Sequence, residues 1–136
     1  MKYQRQVIYL SRPLDDFEEN IASRFWKGGY RLASPKAEWI KFYLLKYGKG
    51  YPYDMWKKWR EFASMIGVRA GSYIAFVRYM FILKRLGLIK EVEEEPTHRG
   101  FPRKYYVLVE EMIDSEIWRR PVATLYPSSE KERVLF

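Results

Sequence analysis

Apolar residues recur at helical spacing along this chain as far as residue 87, and at strand spacing just beyond it. Leu14, Phe17, Ile21 and Phe25 fall on one stripe behind Pro13, and Gly28-Gly29 closes the run, so a helix is expected there. Ser34-Pro35 joins an N-cap serine to a proline at the first helical position. The helix it opens runs to about Tyr47, where Gly48 supplies the stop. Ala37, Ile40, Leu44 and Tyr47 form one apolar face, and Trp39, Phe42 and Tyr43 extend it around most of the circumference. A helix apolar on most sides is buried on most sides. The helix at 14–26, the C-terminal segment or a second subunit must therefore cover it.

Asp54 is the expected N-cap of the next helix, whose Met55, Trp59, Phe62, Ala63 and Ile66 share a single face ending at Gly67. A tight connection, residues 68–71, leads to Ser72, the expected N-cap of a helix ending at Leu86 with Gly87 as its stop. Leu88–Glu94 and Lys104–Val109 then read as two strands, the second rich in aromatic and β-branched residues. Pro96, Gly100 and Pro102 between them mark the tip of a long hairpin. At the two ends the pattern is weaker. Residues 2–10 alternate enough for a short strand or arm. Met112, Ile113 and Ile117 permit a short helix that Pro121 ends, Val122–Tyr126 suits a last strand or arm, and residues 127–136 form a loose tail. The expected class is mainly α with a small β-hairpin (α+β). Its segments are an N-terminal arm and helix (1–33), a central domain (34–109) and a C-terminal short helix and tail (110–136).

Composition narrows the partners. The net charge is +8, and the excess sits between residues 35 and 109, while residues 110–136 carry more acids than bases. A basic centre attracts nucleic acid, anionic membrane or an acidic protein. There is no cysteine and a single histidine, His98, which excludes disulfides, thiolate metal sites, a cysteine nucleophile and a histidine-rich metal centre. No cofactor is expected, because no nucleotide-binding glycine loop, nucleophile motif or metal-ligand set is present. The absence of a spanning apolar run and of an apolar leader after Met1 leads to the expectation of a cytoplasmic protein with no membrane association. One Asn, two Gln and 31% charged residues resemble the composition of a thermophile's protein. Asp15, Asp16, Glu18 and Glu19 are expected to be a solvated helix N-terminus that favours the dipole.

Three stretches carry a resemblance. Phe62–Val68 (Phe-Ala-Ser-Met-Ile-Gly-Val) resembles the first half of a helix-turn-helix, with a small residue for close packing and a glycine four positions later for the turn. Leu83–Ile89 (Leu-Lys-Arg-Leu-Gly-Leu-Ile) resembles the end of a recognition helix and the start of a wing. Arg99–Leu108 (Arg-Gly-Phe-Pro-Arg-Lys-Tyr-Tyr-Val-Leu) resembles the basic wing of PadR-like and MarR-like transcription regulators. The resemblance spans about residues 35–109. It departs from the pattern in a longer Gly67–Gly87 interval and in Glu110-Glu111-Met112 after the second strand. It implies a winged helix-turn-helix that binds double-stranded DNA, with the helix at 72–86 in the major groove and the wing at 95–104 on the backbone or minor groove.

Physical access selects the contacts. With Phe76, Val77, Met80 and Leu83 facing the core, Ala75, Arg78, Tyr79, Ile82 and Arg85 fall on the other side. Arg78 suits a guanine edge, and Arg69 and the hydroxyl of Ser72 suit phosphate. Tyr79 either touches DNA or caps the core. His98, Arg99, Arg103 and Lys104 flank the wing tip, where arginine suits a narrow minor groove. Glu91, Glu93, Glu94 and Glu95 would repel phosphate unless their strand points away or pairs with lysines. A homodimer is expected, because two-fold symmetry reads two half-sites. Residues 13–26 and 110–119 are the candidate contacts. The alternative to a DNA-binding regulator is a winged-helix adaptor between proteins, favoured by the surplus of Trp and Tyr. RNA binding is a further variant.

Overall fold

The computed structural model describes residues 12–26, 34–93 and 104–126. Four helices come first: α1 (Asp16–Trp26), α2 (Pro35–Tyr47), α3 (Pro52–Ile66) and α4 (Tyr73–Arg85). An antiparallel pair follows, β1 (Ile89–Glu93) and β2 (Lys104–Leu108), then 3-10 turns at Glu110–Met112 and Glu116–Arg119 and a short helix, α5 (Pro121–Leu125). The described chain is thus mainly helical with one small hairpin, an α+β arrangement. Residues 2–10, the wing tip and residues 127–136 lie outside the described residues. None of the described helices is long and apolar enough to cross a membrane.

One buried cluster takes residues from all three expected segments, including Ile21 and Ala22 of α1, the inner faces of α2, α3 and α4, and Trp118. The largely apolar α2 is covered on most of its circumference, while Leu45 and Tyr47, the latter expected on its apolar face, are exposed. Phe17 of α1 packs on Trp39 with ring centroids 6.1 Å apart, and Trp59 of α3 meets the same indole at 5.7 Å. The turn at 116–119 packs on α2 as well. Both segments expected to make a dimer contact therefore turn their apolar residues into the chain's own core.

The caps account for most boundaries. Ser34 accepts from the Ala37 amide at 3.3 Å and Ser72 from the Ala75 amide at 3.1 Å. Gly67 takes the left-handed conformation at φ +82°, and the Val68 amide donates back to Ala63 at 2.8 Å, closing α3 in a Schellman turn. Two boundaries differ from expectation. Asp54 is not the cap of α3: Tyr51 is, and Pro52, with its φ already helical and no amide to satisfy, starts the helix three residues earlier than expected. Pro121 opens α5 instead of ending a helix, for the same reason, and 110–119 forms two 3-10 turns in place of one helix. Residues 121–125 are consequently helix, not strand.

The acidic start of α1 is also not fully solvated. Glu18 is 1% exposed. Arg12 folds over it and donates twice, at 2.7 and 2.9 Å, the Trp39 indole donates at 2.7 Å, and the Asp15 amide at 3.1 Å. The last contact is the back-bond of a capping box. Arg12 also reaches Glu61 of α3 at 2.8 Å, so one guanidinium ties the entry of α1 to α3. Hydrogen bonding to Glu18 drives the Arg12 pKa further up.

The hairpin is anchored on its outer edge. Gly50, in the connection between α2 and α3, exchanges both backbone hydrogen bonds with Tyr106 at 2.9 Å. A Cβ on Gly50 would press on the Met55 side chain, so any larger residue here forces Met55 to shift.

Candidate nucleic-acid interface

The turn between α3 and α4 is held from beneath. The Trp59 indole donates to the Ala70 carbonyl at 3.3 Å and the Trp56 indole to Gly71 at 3.4 Å. Gly71 adopts φ +83°, which brings the chain round to the Ser72 cap. With the Ser72 oxygen accepting from Ala75, the amides of Tyr73 and Ile74 have no acceptor within α4 at the positive end of the helix dipole. Arg69 stands exposed on this turn.

Helical geometry sorts the side chains of α4. Phe76, Met80 and Leu83 are buried. At roughly 100° per residue, positions 74, 78, 81 and 85 fall opposite Phe76. Ile74, Arg78, Phe81 and Arg85 are the exposed stripe, with Ile74 63% and Phe81 48% exposed. Arg69 and Arg78 make no ion pair with another described residue. Ala75, Arg78 and Arg85 point outward as their spacing predicts, whereas that spacing assigns Ile74 and Phe81 to neither face. The expected core face is centred too far toward Val77, which is only half-buried, and the signal that could have found them is the phase of roughly 100° per residue measured from Phe76.

Tyr79 goes the other way. Three residues beyond Phe76 it sits on the flank of the buried face, and its hydroxyl shares a hydrogen bond of 2.8 Å with Ser34 at the start of α2. Burial pushes its pKa up to about 12, and Lys36, itself lowered by burial, lies 4.7 Å from the ring centroid. Tyr79 caps the core; it is not part of the outward stripe. Ile82 is half-buried, and Val77, expected in the core, is only half-buried as well.

Of the wing residues, Lys104 is exposed at the start of β2, in register with Glu93. His98, Arg99 and Arg103, with Glu94 and Glu95, lie outside the described residues. Glu91 satisfies the condition set for the acidic strand. Lys84 of α4 donates to it at 2.9 Å and the Tyr106 hydroxyl at 3.3 Å, and the lysine contact holds its carboxyl below the ordinary range. This pair also locks β1 to the last turn of α4.

A second group emerged only in three dimensions. Tyr53, Trp56 and Tyr73 bring the N-termini of α3 and α4 together, with pairwise ring centroids 5.5–5.7 Å apart. The surplus of aromatics in the sequence signalled such surface rings without locating them. Among the described residues no group of acids and histidine could hold a metal ion.

No protein-family profile, curated protein or solved structure matches this chain. The functional reading therefore rests on residues and geometry.

Proposed function

We propose that the chain is a winged helix-turn-helix protein, similar to PadR-like and MarR-like regulators, that binds double-stranded DNA in the cytoplasm and regulates transcription without catalysing a reaction. The observation that carries this reading is the outward stripe of α4. It is a rigid, N-capped helix following a pinned turn, with Arg69 and Arg78 unpaired among the described residues and a two-stranded hairpin beside it. In this reading the outward stripe of α4 enters the major groove. Arg78 donates to a guanine edge, and Ile74 and Phe81 meet thymine methyls. Arg69, the Ser72 hydroxyl and the first-turn amides of α4 hold phosphate. Lys104, with His98, Arg99 and Arg103 of the wing, holds the backbone or minor groove.

Binding to a blunt duplex is measured by fluorescence anisotropy over a range of salt. The logarithm of the affinity should fall with that of salt at a slope of about −0.9 per phosphate neutralised. Arg78→Ala should cost about 1–3 kcal/mol on a preferred sequence, and Arg103→Ala should weaken all sequences alike and shrink the slope by about 1. No binding at low salt rejects the proposal. The adaptor reading is favoured by one observation, the exposure of Ile74 and Phe81 on the same stripe. It requires that Phe81→Ser leave duplex affinity unchanged. Two-fold pairing of the protein on DNA is checked by sedimentation, where a monomer at every concentration argues against a homodimer.

A further inference from the structure

The Tyr53–Trp56–Tyr73 cluster sits at the surface, at the mouth of the α3–α4 turn. Tyr53 is 45% exposed and Tyr73 36%, although each is in ring contact with two neighbours. The interior below is already complete. Trp59, Phe62 and Met55 fill it, and the indole of Trp56 is tied to the turn. The exposed rings are therefore surplus to the packing.

Their surroundings are cationic. Lys57 lies 5.5 Å from the Tyr53 ring centroid, and the Arg60 guanidinium lies 4.6 Å from that of Trp56. Arg69 projects from the adjoining turn. Asp54 is the acid in the same turn of α3, and Glu61 directs its carboxylate to Arg12. Flat aromatic faces among side-chain cations match a nucleobase and its phosphates. Bases stack on such rings whatever their identity, and the cations track the backbone. An acidic peptide would satisfy the cations but leave the rings wet.

We propose that Tyr53, Trp56 and Tyr73 form a stacking site for unpaired bases of a single strand adjoining the duplex, with Lys57 and Arg60 on its phosphates. The site rests on the duplex-binding reading above and extends it: the protein then prefers a junction between double and single strand to an uninterrupted duplex.

Three labelled DNAs sharing one duplex distinguish the two ideas. One is blunt, one carries a short thymidine overhang, and one carries an abasic overhang with the same number of phosphates. The thymidine overhang should bind about 5- to 150-fold more tightly than the abasic one, the range for stacking a single base. The double variant Tyr53→Leu/Tyr73→Leu should shrink that difference to the share Trp56 alone supplies and leave the blunt-duplex affinity within about twofold, a change too small to reflect a lost stacked base. Photocrosslinking of an iodouracil placed in the overhang should map to these rings. Equal affinity for the thymidine and abasic overhangs overturns the stacking site and leaves the patch to a protein partner. So does a difference that the double variant leaves undiminished. Failure of the blunt duplex to bind at low salt overturns the duplex reading instead.

Discussion

Glu18→Gln tests the buried centre of α1 at the scale of one atom. Each carboxylate oxygen of Glu18 accepts two hydrogen bonds: one oxygen from Arg12 and the Asp15 amide, the other from Arg12 and the Trp39 indole. A glutamine keeps the shape but turns one of these oxygens into a donor facing two donors. Whichever way the amide points, one charge-assisted and one neutral hydrogen bond are lost. Such bonds contribute about 1.5–3 and about 1 kcal/mol. Removing one partner from a fully buried ion pair costs about 3–5 kcal/mol. Arg12 is 21% exposed and retains Glu61, so the lower end applies. The expected loss is about 3 kcal/mol, which lowers the melting temperature by about 10 °C for a chain of 136 residues. Urea unfolding followed by tryptophan fluorescence and by circular dichroism measures it, with the slope against denaturant reporting whether the native state is altered. A loss under about 0.5 kcal/mol, the usual range for a surface change, refutes the reasoning. By contrast, the Arg12–Glu61 contact is at the surface and contributes about 0–1 kcal/mol.

Gly50→Ala should cost about 1–3 kcal/mol, because the new methyl meets the sulfur of buried Met55 and a methyl of buried Leu44. Chemical denaturation checks it, and a neutral result means that Met55 yields. Alkaline pH should destabilise the protein through Tyr79. Its folded pKa of about 12 lies above the unfolded value near 10, so its contribution is complete below pH about 10 and is lost as pH rises through 12. Tyr79→Phe should lessen that fall in a stability profile, the remainder belonging to Tyr47 and Tyr106, which are likewise raised to about 12, and lose about 1 kcal/mol at neutral pH with the Ser34 hydrogen bond. A profile unchanged above pH 10 contradicts the burial of the hydroxyl. Arg78→Ala and Arg103→Ala, compared on one preferred and one unrelated duplex, separate base reading from phosphate contact, and identical behaviour of the two variants overturns the assigned docking.

Local chemistry determined much of this protein. Ser34, Ser72, Gly48, Gly67 and Gly87 mark helix ends because a hydroxyl cap or a left-handed turn is satisfied by neighbours a few residues away. The alternation after Gly87 determined the two strands, and the 4, 3, 1 and 3 spacing of Met55, Trp59, Phe62, Ala63 and Ile66 determined the inner face of α3. The N-caps at Asp54 and the stop at Pro121 were misplaced because a side-chain cap and a proline at the first position are both legitimate helix starts. Which of them operates depends on the conformation of the preceding residue.

Tertiary structure decided the rest, because those features depend on residues far apart in the chain. Glu18 reads as a solvated acid until Arg12 and Trp39, one of them in another helix, close over it. Tyr79 reads equally as a DNA contact or a cap on the core until α2 offers Ser34. Ile74 and Phe81, assigned to neither face from the sequence, prove exposed once Val77 and Ile82 are seen to be half-buried on the flanks of α4. Tyr53 and Tyr73 stand 20 positions apart and become one aromatic site through the turn that joins their helices. Hydrophobic periodicity, a property of one element, can specify which residues share a face. It cannot specify which face another element covers, and the candidate contacts of this protein lie on the faces left uncovered.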